Sequence, residues 1–292
     1  LRNTVKVAIR NLDRVIDINF YPTPETRRSN MRHRPVGLGV QGLADVFALM
    51  RIGWETPQAA DLNQRIFEHI YYSAIHTSYN IAVDKGTYQS FKGSPASEGI
   101  LQPDLWRVNP LSSDLDWAGL RQKVKKGLRN SLSIALMPTA STSQILGNNE
   151  CFEPFTSNMY TRRVLAGEFV VVNKYLVEDL VKINMWTSEI RTAIIANNGS
   201  IQNMPELPVE IRELYKTAWE IPQKTLINMA RDRAPFICQS QSLNLFLSEP
   251  SYAKMSSMHF YAWKAGLKTG CYYLRTRAVS SAQKFTVEPC LT

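Results

Sequence analysis

Nowhere in the 292 residues is there a run approaching the roughly 20 apolar residues that a membrane-crossing helix needs. Cysteine is sparse: Cys151, Cys238, Cys271 and Cys290 lie far apart with no Cys-x-x-Cys pairing, which argues against both a disulfide framework and a zinc ribbon. Reduced thiols in a cytoplasmic protein are expected. Histidine is as scarce. His69 and His76 fall two turns apart without an acidic partner at the matching turn, and His33 and His259 are isolated, so no metal site is expected. There is no internal repeat and no low-complexity tract. The first residues, LRNTVKVAIRNLDRVIDIN, carry charges every few positions and lack the apolar centre of a signal peptide. Asn198-Gly199-Ser200 fits the glycosylation pattern, but without a secretory route it reads as chance.

What is present is an ordinary core-forming composition, 44% hydrophobic and 20% charged, which argues against disorder. The net charge of +9 leaves anionic partners open. Its densest cluster, Arg27, Arg28, Arg32, His33 and Arg34, reads as a solvated loop. No nucleic-acid motif accompanies it, so nucleic acid is not an expected partner, and neither is a membrane.

Apolar residues recur at helical spacing from Leu1 to Ile16, with no convincing cap before Leu1, as in a chain opened inside or just before a helix. Pro22 and Pro24 end that helical region. A second helix follows the glycines at 37–42, with Leu43, Val46, Phe47 and Met50 on one side. A long helix is predicted over Pro57 to Lys85, with a stripe of Leu62, Ile66, Ile70 and Ile81 and a stop at Gly86. Residues 86–113 read as a surface connection, and Trp117, Leu120 and Val124 as a short helix. Ser131 to Met137 alternates as a strand and is stopped by Pro138; Leu243, Leu245 and Leu247 alternate likewise. Further helices are predicted at 173–183, 209–218, 222–231 and 252–267, and an extended piece at 271–274. Helices alternating with short strands define an α/β class.

Three stretches invite a chemical reading. Gly37-Leu38-Gly39-Val40-Gln41-Gly42 fits a dinucleotide fingerprint, but that motif works only directly after a buried strand, and residues 29–35 cannot form one. Close backbone packing is the expected use of these glycines. The second stretch, Thr139, Ala140, Ser141, Thr142 and Ser143, sits between a predicted strand end and a predicted helical turn. Free backbone N–H groups and small hydroxyl side chains there suit phosphate, with no lysine to make a Walker loop; taken alone, an ordinary Ser/Thr-rich helix cap is the better explanation. Third, Tyr272 and Tyr273 are either packing aromatics or a pair able to pass an oxidising equivalent, and spacing does not separate the two.

RHRPVGLGVQGLADVF (32–47), RNSLSIALMPTASTSQILGNNE (129–150), EPFTSNMYTRRVLAGEF (153–169) and SMHFYAWKAGLKTGCYYLRTR (257–277) together resemble the large, catalytic subunit of class I ribonucleoside-diphosphate reductases of the eukaryotic and viral type. The resemblance implies the C-terminal part of a ten-stranded α/β barrel with a small additional α/β subdomain. Residues 1–140 would supply the later barrel, and 141–292 the subdomain and the radical-transfer strand. It implies that Thr139, Ala140, Ser141, Thr142 and Ser143 hold the diphosphate of a ribonucleoside diphosphate. Tyr272, nearer the active-site cysteine, and Tyr273, nearer the subunit interface, would carry the radical. The helix over 257–268 would lie near the docking groove for the small subunit's tail.

Implied partners are the radical-generating small subunit, the preceding N-terminal part of the large subunit and a second large subunit. Implied effectors are ATP and deoxynucleotides, with the metal-radical centre held by the small subunit and no cofactor bound by this part. The reactive cysteines, the Asn/Glu proton-handling pair and the regulatory sites are expected upstream of Leu1, and Cys290 stands alone where the family has a Cys-x-x-Cys shuttle. This part by itself is therefore expected to be inactive. An adjacent relay pair also demands a break in strand geometry, since neighbouring residues of a regular strand point to opposite faces.

Overall fold

The computed structural model describes residues 1–165 and 167–277; Cys290 lies outside them. Helix α1 (Arg2–Ile18) buries Val5, Ile9, Asp13 and Ile16 on one face. Pro24 does not end a helical region, as the sequence reading had it, but begins one. In α2 (Pro24–His33), Thr23 and Thr26 form a reciprocal cap and proline occupies the first turn, where no N–H is needed. The arginine-rich run is thus a solvated helix rather than a loop. Helix α2 buries nothing, so it leaves no apolar period to detect. Arg34, just past its end, is the exception. Held left-handed at φ 46 and buried, it donates from Nε to Asp13 Oδ1 at 3.0 Å and from Nη1 to Asp17 Oδ1 at 2.8 Å. That contact keeps the Asp17 carboxyl below its ordinary range.

After α3 (Leu43–Leu49), helix α4 (Pro57–Lys85) runs through the centre of the molecule, packed on α1. Thr56 caps its start and Gly86 its end. Of the predicted stripe, Ile70 and Ile81 are buried while Leu62 and Ile66 are only half-buried. The deepest positions include Phe67, Ala74 and the polar Asn63, Glu68 and Ser78. The segment read as a surface connection contains a 3-10 turn (Pro95–Glu98) and α5 (Gln102–Leu105), and leads to α6 (Trp117–Lys126). It is tied down by Glu68. That carboxylate accepts from Leu111 N at 3.3 Å, Ser112 N at 3.1 Å, Ser112 Oγ at 2.9 Å and Trp117 Nε1 at 3.1 Å.

The rest comprises α7 (Thr142–Leu146), a hairpin of β1 (Met159–Val164) and β2 (Gly167–Val172), α8 (Lys174–Lys182), α9 (Ser188–Ala196), α10 (Val209–Leu214), α11 (Gln223–Arg233), β3 (Leu245–Leu247), α12 (Tyr252–Lys264) and β4 (Leu274–Thr276). A small core under the hairpin gathers Tyr175, Leu176, Leu180, Ile190, Ile194 and Tyr215. The predicted strand at 131–137 is realised only as two parallel bridges, Leu38↔Ile134 and Leu136↔Gln241, and β3 pairs in parallel with β4. Four extended segments, near 36–40, 133–137, 239–247 and 272–276, therefore lie side by side, all parallel, with helices between them in sequence. Among the described residues they form an open arc, not a closed barrel, and no helix there is long and apolar enough to cross a membrane.

Gly39 shows what the glycine-rich stretch is for. A Cβ there would lie 2.7 Å from the Ala135 carbonyl oxygen, and one at Gly37 would lie 3.2 Å from the Ala135 side chain. The segment enters the arc from helix α2, not from a strand, so the dinucleotide context is missing and close packing accounts for the glycines. Gly39→Ala is expected to lower stability by about 1–3 kcal/mol, the usual cost of overpacking, read as a fall in Tm. An unchanged Tm would show that the two segments can part without cost.

Candidate functional site

The loop after Met137 turns sharply. Thr139 is held left-handed at φ 55, unusual for a β-branched residue and a conformation that the surroundings must enforce. Its Oγ1 accepts from Cys151 N at 2.8 Å and its carbonyl from Ser143 N at 2.9 Å. Among the described residues, the amides of Ala140, Ser141 and Thr142 donate to no protein group. Thr139, Ala140, Ser141 and Thr142 line a cavity of about 640 Å³ whose opposite wall is Gly37 to Gln41 and α1 residues Ala8, Asn11 and Leu12. Unpaired backbone donors in a cavity wall are what an anionic group requires. Ser143 is not brought into this cavity. It is fully buried, its hydroxyl lacks a protein partner, and it lines a second, larger space of about 890 Å³ beneath the β1–β2 hairpin.

Tyr272 and Tyr273 precede β4 rather than lying within it, and their ring centroids are 4.2 Å apart at an interplanar angle of 51°. A bulge achieves this. In a regular parallel ladder one residue sends its N–H and its carbonyl to the two neighbours of the residue opposite. Here Tyr272 N donates to Leu243 O at 2.7 Å, but Leu245 N donates to the carbonyl of Tyr273, at 3.0 Å. One extra residue is therefore inserted opposite Asn244, and the two rings come together. The spare N–H, on Tyr273, donates to Asn244 Oδ1 at 3.1 Å. The neighbouring Tyr273 hydroxyl pushes the Tyr272 phenol above its ordinary pKa, and the Arg275 guanidinium sits 5.5 Å from the Tyr273 ring centre.

In the arc the segment near 239–247 lies between the segment that leads into the loop and the one that carries the tyrosines.

Sequence reasoning missed the polar cluster behind the tyrosines. Glu153 is buried, its Oε1 accepts from Asn244 Nδ2 at 2.6 Å and from Cys151 Sγ at 3.5 Å, and desolvation pushes its carboxyl up to about 7. Arg233, fully buried in α11, donates to the neutral amides of Gln241 at 2.7 Å and Asn63 at 3.0 Å and lies 4.0 Å from the Phe152 ring centre. Glu153, Asn244 and Arg233 come from three distant stretches, and no spacing connects them. The described cysteines are free thiols. Burial pushes Cys151 and Cys271 upward, and the Cys238 sulfur accepts from the amides of Ser133 and Ile134, both at 3.1 Å. His33 contacts Ser90 Oγ at 2.6 Å and His76 stacks on Tyr72, so both serve packing.

Parallel segments with helices between them, a loop with unpaired amides at a strand end and a cavity beside it define part of an α/β-barrel protein. The family model for the ribonucleotide reductase barrel domain matches residues 1–273, and the chain belongs to that family. It is 60% identical over 291 residues to the ribonucleoside-diphosphate reductase large chain of Schizosaccharomyces pombe, covering 99% of this chain and 36% of that one. Against the large subunit of Dictyostelium discoideum it is 58% identical, covering 98% and 33%. The class Id ribonucleotide reductase alpha subunit of Actinobacillus ureae superposes with a TM-score of 0.76 at 26% identity, over 94% of this chain and 46% of that one. The chain spans about a third of the length of the curated relatives it matches.

Proposed function

We infer that these residues serve the reduction of ribonucleoside diphosphates to deoxyribonucleoside diphosphates, as the C-terminal part of a reductase large subunit acting in the cytoplasm. The observation that carries this is the set of unpartnered amides at Ala140, Ser141 and Thr142 in the wall of a cavity, with the stacked tyrosines beside it in support. The loop holds the substrate's diphosphate through backbone N–H groups, with the Thr139 conformation fixing their direction. Tyr272 and Tyr273 relay the oxidising equivalent: each gives up one electron and its phenolic proton to the neighbour nearer the small subunit. Tyr272 then regains a hydrogen atom from the active-site cysteine supplied by the preceding part of the subunit, leaving the thiyl radical. Helix α12, with Tyr252, Phe260 and Trp263 exposed, offers the small subunit's tail a face to dock on.

Two measurements test the reading. In the intact large subunit, Ser141→Glu places a negative charge beside the diphosphate and is expected to weaken nucleoside diphosphate binding about tenfold or more, roughly 1.4 kcal/mol; unchanged affinity overturns the loop assignment. The 292 residues alone, mixed with the small subunit, are expected to give no turnover, because positioned donors do not replace a missing nucleophile. Deoxyribonucleotide formation by that mixture would overturn this expectation, while competition by the tail peptide for binding would support docking.

A further inference from the structure

Two adjacent tyrosines stack only because the bulge inserts one residue opposite Asn244, and a bulge leaves a backbone N–H outside the ladder. An orphan N–H costs free energy unless something receives it. The receiver is one side chain: Asn244, 2% exposed, whose Oδ1 takes the Tyr273 N–H at 3.1 Å while its Nδ2 donates to Glu153 Oε1 at 2.6 Å. An amide has one accepting and one donating end, so the carboxylate fixes which end faces the tyrosine. Glu153 is itself anchored, since its backbone carbonyl accepts from Asn149 Nδ2 at 2.7 Å.

We propose that Glu153 and Asn244 are positioning residues for the radical relay, a clasp that holds the Tyr272–Tyr273 bulge open so that the two rings remain stacked. The proposal rests on the relay reading of the tyrosines. The charged and titratable groups around the clasp are Glu150 and Cys151 on its own loop, Arg275 on β4, and Arg233 on α11, which shares a cavity of about 10 Å³, room for one water, with Glu153 and Asn244. Burial holds the Glu153 carboxyl near 7, so the clasp sits where a change in its charge pattern registers at accessible pH.

The test uses the full-length large subunit assembled with its small subunit and reads two quantities, kcat and hydrogen exchange at the Tyr273 amide. Asn244→Leu keeps the volume and removes both hydrogen bonds. It is expected to raise exchange at Tyr273 and to lower kcat about a hundredfold, the scale set by about 1 Å of misplacement, with KM little changed. Asn244→Asp sets two carboxyl groups against each other and raises the pair's pKa above that of Glu153 alone; the pair shares one proton at and below neutral pH, so kcat falls as the pH is raised and recovers on return to neutral. The double variant N244D/E153Q exchanges the two polarities and is expected to restore kcat at the raised pH to within about threefold of E153Q alone. That arm also answers the case in which Asn244→Leu does not fold.

Unchanged Tyr273 exchange in both single variants at Asn244, or no recovery in the polarity swap, overturns the clasp. Full turnover in Tyr272→Phe overturns the relay reading instead and leaves the exchange result standing, so the two failures are distinguishable.

Discussion

Replacing Tyr272 with phenylalanine is expected to abolish deoxyribonucleotide formation by the intact enzyme while leaving the protein folded. The substitution keeps the ring, and with it the stacking on Tyr273 at 4.2 Å and the packing around the bulge. It removes the hydroxyl, whose proton must leave with the electron if the ring is to be oxidised at a potential that protein chemistry reaches. The loss should be at least about a thousandfold, equivalent to about 4 kcal/mol on the barrier. Binding of nucleoside diphosphate and of the small subunit should not move, since Tyr272 is half exposed and neither the loop at 139–142 nor α12 depends on its hydroxyl. Single-turnover product formation measures the step directly. Activity within about tenfold of the parent would mean that the oxidising equivalent takes another route.

The second large effect concerns stability. Glu68→Leu is expected to cost about 4 kcal/mol, because this buried carboxylate has no ion-pair partner among the described residues and is held by its hydrogen-bond donors. Removing it orphans the amides of Leu111 and Ser112 and the indole N–H of Trp117 together, each at about 1–3 kcal/mol before the surroundings relax. At this chain length the fall in Tm should be about 10 °C. Proteolysis should first cut the released segment between Gly86 and Asp116. Glu68→Gln, which still accepts hydrogen bonds, should lose markedly less. Equal losses in the two variants would assign the effect to packing instead.

The parts of the fold that were legible in the sequence are those whose burial follows a local rule. Helix α4 carries Thr56-Pro57 at one end and Gly86 at the other, and the expected limits coincide with the observed ones. Helix α6 and α8 agree within a residue or two for the same reason. Helix α2 was not legible because nothing on it is buried, nor was the β1–β2 hairpin, whose strand residues are largely exposed on both faces. The expected strands at 131–137 and 243–247 were right in place but overlong, since a curved arc keeps only isolated bridges and short pairs. Within the site, the loop at 139–143 was visible as a small-residue run between two structural elements. That Ser143 turns into a different cavity from its neighbours was not, because the left-handed turn at Thr139 that redirects the chain falls on a residue type that seldom adopts it. Glu153, Asn244 and Arg233 were invisible for a different reason: tertiary packing alone brings them together.

The inserted residue at Tyr272–Tyr273 also makes codon number matter there. Deleting either position would let the strand run straight past Asn244, a change the ladder accepts readily because Leu274 already pairs with Leu245 just beyond. The shortened protein would keep its architecture with a single phenol where two had touched. A change of length alone, with every remaining residue unaltered, would thus be enough to part the pair.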